Sequence, residues 1–234
     1  MGNRWLGKGA GIFTSVNFSF ISEYFILSVE PYYYFNQNIN VKNQNRVSNN
    51  PLAPDLFNKL NDFRYTDRYP YKITGIREAQ IYFHYDQIGF GLSNVNMWWG
   101  PGIHNSLTMT NNTTGFPHLM IGTINEKRVG DLGLNFRYIF SKLEKIVGDP
   151  YYTALVGSAS LYYDPTITFG FSRNYLSGGV RTDRPFNIWD AALLPFESLF
   201  IDTKIKNYPS EWEAHDPWDE TMSGFITLDF PKSG

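Results

Sequence analysis

The sequence predicts an all-β protein, an antiparallel up-and-down transmembrane β-barrel that is incomplete, with about nine strands of a larger barrel present. Three observations lead there. Apolar residues recur at every second position, which sends alternate side chains to opposite faces of a strand. Aromatic residues make up 18% of the 234 residues, with 16 Tyr, 19 Phe and 6 Trp, while charged residues are only 18%, below the roughly 25% of soluble domains. Connections alternate between short and long along the chain, the pattern of barrels with tight turns at one rim and elaborate loops at the other.

Strands are expected at about 11–20, 23–34, 76–85, 88–97, 117–124, 131–141, 152–163, 166–175 and 224–230, with ends uncertain by two to four residues. In the first, Ile12, Val16, Phe18 and Phe20 alternate with Ser15, Asn17 and Ser19. Further along, Ala79, Ile81, Phe83 and Tyr85 alternate with Glu78, Gln80 and His84. The cleanest case is Leu132, Leu134, Phe136, Tyr138 and Phe140, separated by Gly133, Asn135 and Arg137. Leu155, Ala159, Leu161 and Tyr163 against Ser158 and Ser160, then Ile167, Phe169 and Phe171 against Thr168, Gly170 and Ser172, repeat the pattern. Most of these runs approach the roughly nine to eleven residues that a tilted strand needs to cross a bilayer. An odd number of strands is unusual for a single-chain bacterial barrel, so closure needs further chain.

The whole of 1–234 reads as one partial barrel domain. Short links fall at 21–22, 86–87, 125–130 and 164–165, and longer ones at 35–75, 98–116, 142–151 and 176–223. In an up-and-down sheet every second link lies on the same edge, so the long loops gather at one rim, expected to be extracellular. Two loops carry helical spacing. A short helix is expected at 52–62, with Asp55 a candidate cap before Leu56, Phe57 and Leu60, and a second at 189–194.

Composition also excludes. The chain has no cysteine, hence no disulfide, thiolate metal site or cysteine nucleophile. A net charge of −2 without a basic stripe argues against nucleic acid. No run approaches the roughly 18 apolar residues of a membrane helix. Residues 1–8 lack the basic and apolar regions of a secretory signal, so an outer-membrane protein would have lost its signal with a missing N-terminal region. His84, His104, His118 and His215 are scattered, and Glu211, Glu213, His215, Asp216, Asp219 and Glu220 match no metal-loop spacing. Without a nucleophile elbow, phosphate loop or zinc motif, no enzyme activity, metal or cofactor is expected.

Two constellations remain. Arg64, Tyr65, Arg68, Tyr69 and Tyr71 interleave cations with rings on a long loop, where rings stack on sugars and guanidinium forks pair with carboxylates, as an acidic polysaccharide requires. Their alternative role is an interfacial aromatic girdle with solvated arginines. Trp98 and Trp99 offer a stacking platform beside Gly100-Pro101-Gly102, or else fill volume where the loop folds back into the barrel mouth.

The string WWGPGIHNSLTMTNNTTGFPHLMIGT at 98–123 resembles a segment of the Wzi family of capsule assembly proteins, outer-membrane β-barrels of Gram-negative bacteria. The residues that carry it are Trp98, Trp99, Gly100, Pro101, Gly102, Asn105, Ser106, Asn111, Asn112 and Pro117. The resemblance implies a bacterial outer-membrane barrel of roughly twice this strand number, anchoring capsular or other surface polysaccharide in a lectin-like, non-catalytic way with its channel occluded. Outer-membrane lipid is then the other partner. The chain departs from the family in lacking a signal, a periplasmic helical region and the remaining strands, and no ligand residue carries over. Two alternatives stand beside it: a passive channel lined by Ser15, Asn17, Asn135 and Arg137, and a soluble β-rich carbohydrate-active enzyme with Trp98 and Trp99 at a sugar subsite and two acids across the bond.

Overall fold

The computed structural model describes residues 9–37, 70–100, 109, 115–143, 149–178, 187–200 and 218–230. Among these residues eleven strands form a single antiparallel sheet: β1 (Gly11–Ser15), β2 (Phe18–Ile21), β3 (Phe25–Asn36), β4 (Tyr71–Tyr85), β5 (Ile88–Ser93), β6 (His118–Thr123), β7 (Lys127–Val129), β8 (Leu132–Lys142), β9 (Tyr151–Leu161), β10 (Thr166–Ser177) and β11 (Trp218–Asp229). The order β1-β3-β4-β5-β6-β8-β9-β10-β11 pairs each strand with its successor along the chain, and β2 and β7 continue β1 and β6. Among the described residues β1 and β11 are the two outer strands, not paired with one another. The short links lie on one edge and the long ones on the other, as the parity of the sequence requires.

Sequence and structure differ where the period breaks. The strand expected at 11–20 is split into β1 and β2, opposite Pro31. Val16 N–H donates to the Pro31 carbonyl at 3.3 Å, but proline has no N–H with which to complete the pair. On its other side β3 meets a bulge: Glu30 faces Glu78 and Pro31 faces Ile76, leaving Arg77 as the extra residue. The bulge inverts the phase, so that Ile73 shares the face of Glu78 and β4 begins at Tyr71, five residues before the alternation becomes legible. The strand expected at 88–97 stops at Ser93. The last strand starts at Trp218, inside the loop expected to run to 223, because Glu220 and Gly224 on its apolar row hide the pattern.

Register settles how the rows combine. Phe25, Phe83, Phe90 and Ile121 lie in line across β3, β4, β5 and β6, and Phe136, Gly157 and Phe171 in line across β8, β9 and β10. All the alternating apolar sets therefore fall on one face, and that face is exposed: Phe90 is 57% and Ile226 65% accessible. Ring contacts at 5.3, 6.3 and 6.0 Å run from Phe20 to Phe25, Phe83 and Phe90. The opposite face carries the polar set and is the more buried. Ser160, Ser172 and Asn174 are all buried there.

Helix α1 (Ile188–Phe200) interrupts the last long loop, where 189–194 was expected to be helical. Asn187 caps it, its side-chain oxygen accepting from Trp189 and Asp190 N–H at 2.8 and 3.1 Å, while the Asp190 carboxylate accepts from Asn187 N–H at 3.0 Å. Pro195 stands inside the helix and removes the donor that the Ala191 carbonyl would have used. Thr153 Oγ1 donates to that carbonyl instead, at 2.9 Å, and Tyr138 Oη donates to the next, Ala192, at 2.8 Å. The helix is thus fitted to β8 and β9. The expected helix at 52–62 lies outside the described residues.

Candidate functional site

Three pieces build the candidate site: the polar wall, the segment folded onto it, and the rim around it. The wall is a ladder of small hydroxyls and amides that bond one another across strands. Ser160 bonds Thr168 at 3.0 Å, Ser172 bonds Ser223 at 2.7 Å, and Tyr152 Oη donates to Asn174 at 3.2 Å. Glu30, buried in the wall, is met by Arg77 from the β4 bulge at 2.6 Å. A buried carboxylate without such a partner would be costly.

Glycines let the wall be crossed by rings. Tyr82, 2% exposed, lies over Gly91 directly opposite it, and its hydroxyl donates to the Gly122 carbonyl at 2.7 Å. Phe225 covers Gly170 in the same way, and on the apolar face Phe171 covers Gly157. A large ring opposite a bare backbone restores the contact area that glycine forfeits.

The segment after β5 folds onto the wall at its long-loop end. Asn94 extends the ladder to β4 through Asn94 N–H to Ala79 O at 3.0 Å and Ala79 N–H to Asn94 Oδ1 at 2.6 Å. From there the chain turns inward, and Met97 and Trp99 pack on Ile139 and Ala154, with Met109, Phe116, Met120, Tyr152 and Val156 around them. Gly100 then takes φ +112°, a left-handed conformation open to glycine. On the return, Gly115 crosses so close to Asn94 that a Cβ would sit 1.6 Å from its carbonyl oxygen. Ser141 Oγ donates to the Pro117 carbonyl at 2.6 Å, and His118 Nδ1 donates to Phe116 O at 2.8 Å, fixing the start of β6.

At the opposite rim, Tyr162 Oη donates to the Glu126 carboxylate, and the Arg128 guanidinium lies 3.6 Å over the Tyr162 ring. The Tyr162 hydroxyl, aided by Ser160 and Arg128 against the cost of burial, holds the Glu126 carboxyl below its ordinary pKa. Lys127 pairs with Asp86 of the adjoining turn.

Of the residues singled out in the sequence, Trp99 is 6% exposed. Its ring fills volume and presents no free stacking face. Trp98 is half-buried, Gly100 makes the bend, and Pro117 anchors the return. Tyr71 opens β4 opposite Asn36. Arg64, Tyr65, Arg68, Tyr69, Pro101, Gly102, Asn105, Ser106, Asn111 and Asn112 lie outside the described residues. The acidic group at 211–220 is divided: Asp219 and Glu220 are in β11, and Glu220 accepts from Arg173 of β10 at 2.5 Å. Its other members lie outside the described residues. Among the described residues no three His, Cys, Asp or Glu side chains are grouped to hold a metal. Sequence reasoning missed Tyr82 and the Glu30–Arg77 pair. Glu30, a lone charge in an apolar strand, was the available signal.

No family model, curated protein or solved structure matches the chain.

Proposed function

We propose that the chain is a run of membrane-spanning hairpins from an outer-membrane β-barrel of the Wzi type, which holds capsular or other surface polysaccharide without turning it over. The observation that carries the membrane reading is the inverted distribution of polarity: large apolar side chains exposed on one face, and hydroxyls, amides and the Glu30 carboxylate with its Arg77 partner buried on the other. Covering a Leu, Ile or Phe side chain is worth on the order of 1.5–3 kcal/mol. A row of them across the sheet needs an apolar solvent, and lipid supplies one. Strand lengths support it, with β3, β10 and β11 at 12 residues and β8 and β9 at 11, enough for a tilted crossing. The polysaccharide part rests on the resemblance at 98–123 and on the ring and guanidinium chemistry of Arg64, Tyr65, Arg68, Tyr69 and Tyr71.

The polar wall also suits a passive channel. Against an open one stands the segment carrying Met97 and Trp99, which occupies the wall at the long-loop end. Two measurements on full-length protein test the proposal. Fractionation should recover it from the outer membrane only with detergent, and planar bilayers should show little conductance while immobilised protein retains purified surface polysaccharide. Protein that stays soluble without detergent would overturn the membrane reading. Free ion conductance with no retention would replace anchoring by the channel.

A further inference from the structure

We propose that α1 is an interfacial helix that seats Ile188, Trp189 and Leu193 in the outer boundary of the lipid layer, a second membrane contact beside the strands. The inference rests on the membrane reading above and adds to it an element that no alternation of strand residues reveals.

Position is the first argument. Thr153 and Tyr138, which bond the helix carbonyls, belong to the same face as Phe136 and Phe171, because they stand four residues from Gly157 and two from Phe136 on strands of continuous register. The helix therefore lies on the outward, apolar face and not on the polar one. It also lies at a particular height. The outward row of β10 runs Ile167, Phe169, Phe171 and then gives way to Arg173, whose guanidinium is closed off by Glu220 of β11 at 2.5 Å. From Ile167 to Phe171 is about 13 Å of strand, and the apolar band of an outer-membrane barrel is about 25 Å tall. Along β10 the exposed apolar row stops at the level where the helix begins, and on the neighbouring β11 it reaches only one residue further, to Met222 opposite Arg173, before Glu220.

The helix continues the apolar surface. One side is used against the sheet, where Ala191, Leu194 and Pro195 are buried. The other leaves Trp189 72%, Leu193 51% and Ile188 47% exposed, a cost in water and a gain in lipid. Between Ile188 and Phe200 the charged residues are Asp190 and Glu197, with no Lys or Arg. Attraction to anionic headgroups is therefore not the driving force. The contact is apolar, of the kind that sinks about 5–10 Å into the headgroup boundary, and salt leaves it unchanged.

The absence of cysteine makes the test clean. Leu193→Cys, Trp189→Cys and, as a reference, Phe169→Cys are each introduced into the full-length protein, labelled with an environment-sensitive fluorophore and reconstituted into phosphatidylcholine vesicles brominated at shallow or deep acyl positions. The expected result is quenching at 193 and 189 chiefly by shallow bromines, at 169 chiefly by deep ones, all unaffected by added salt. Quenching at 193 and 189 by aqueous iodide in place of bromolipid, with 169 still lipid-quenched, would overturn the helix inference and spare the membrane reading. Disulfide cross-linking of Leu193→Cys between copies would assign the face to a second chain and overturn it as well. No bromolipid quenching at 169 would bring down the membrane reading itself.

Discussion

The two ends of the sheet are treated differently by the same chain. At the long-loop end of β8 and β9 both faces are covered, the inner by Met97 and Trp99 and the outer by α1. Toward the short turns the outer face has no such cover. There Phe83, Phe90 and Leu134 stand exposed on one side, and the hydroxyl ladder of Ser160 and Thr168 lines the other. The difference teaches where the protein supplies its own cover and where it leaves the task to solvent. A bare apolar row is a liability in water and a requirement in lipid.

The comparison is broken most forcefully at its covered end. Trp99→Ala is expected to cost about 3–5 kcal/mol, the range for emptying a large buried ring site, read as a lower urea midpoint in vesicles, and to raise bilayer conductance by uncovering the wall. An unchanged midpoint would mean that the segment is only lightly docked. Phe90→Arg probes the bare end. It is expected to cost about 2–4 kcal/mol in a lipid-embedded barrel, whereas on a water-facing strand the same change would be neutral or would improve solubility. The sign decides.

Two smaller effects sharpen the picture. Thr153→Val leaves the Ala191 carbonyl without the donor that replaces the one lost to Pro195, at a cost of about 1–3 kcal/mol, visible as faster hydrogen exchange in α1 while the strands keep their protection. At the turn end, the lowered pKa of Glu126 favours the folded state above the ordinary carboxylate range, and that contribution is lost as pH falls through the folded value. Glu126→Gln should therefore lower stability at neutral pH and flatten the acid limb of the profile, leaving stability at the lowest pH unchanged. An unaltered acid limb would show that the Tyr162 contact contributes nothing.

Much of this fold was legible because the period of two is local. The apolar rows of β8 and β10 needed only their own residues, and register then placed them on one face. What escaped was non-local. The Arg77 bulge inverts the phase of β4 and masked its first five residues, Pro31 divided β1 from β2 through a missing N–H, and Glu220 obscured β11 until Arg173 was found beside it. For the candidate site, a sequence shows two adjacent tryptophans but not which side of the sheet they fold toward. The structure buries Trp99 against Ile139 and Ala154, while the arginine and tyrosine group at 64–69 owes its standing to chemistry alone.

The account turns on which face of the sheet meets lipid, and cysteine scanning along β10 asks that most directly. With single cysteines at 166 and 168 on the polar face and at 167, 169 and 171 on the apolar one, in the reconstituted full-length protein, a membrane-impermeant thiol reagent should modify 166 and 168 and spare 167, 169 and 171. Uniform modification of both sets, or modification of 167, 169 and 171 alone, would contradict it.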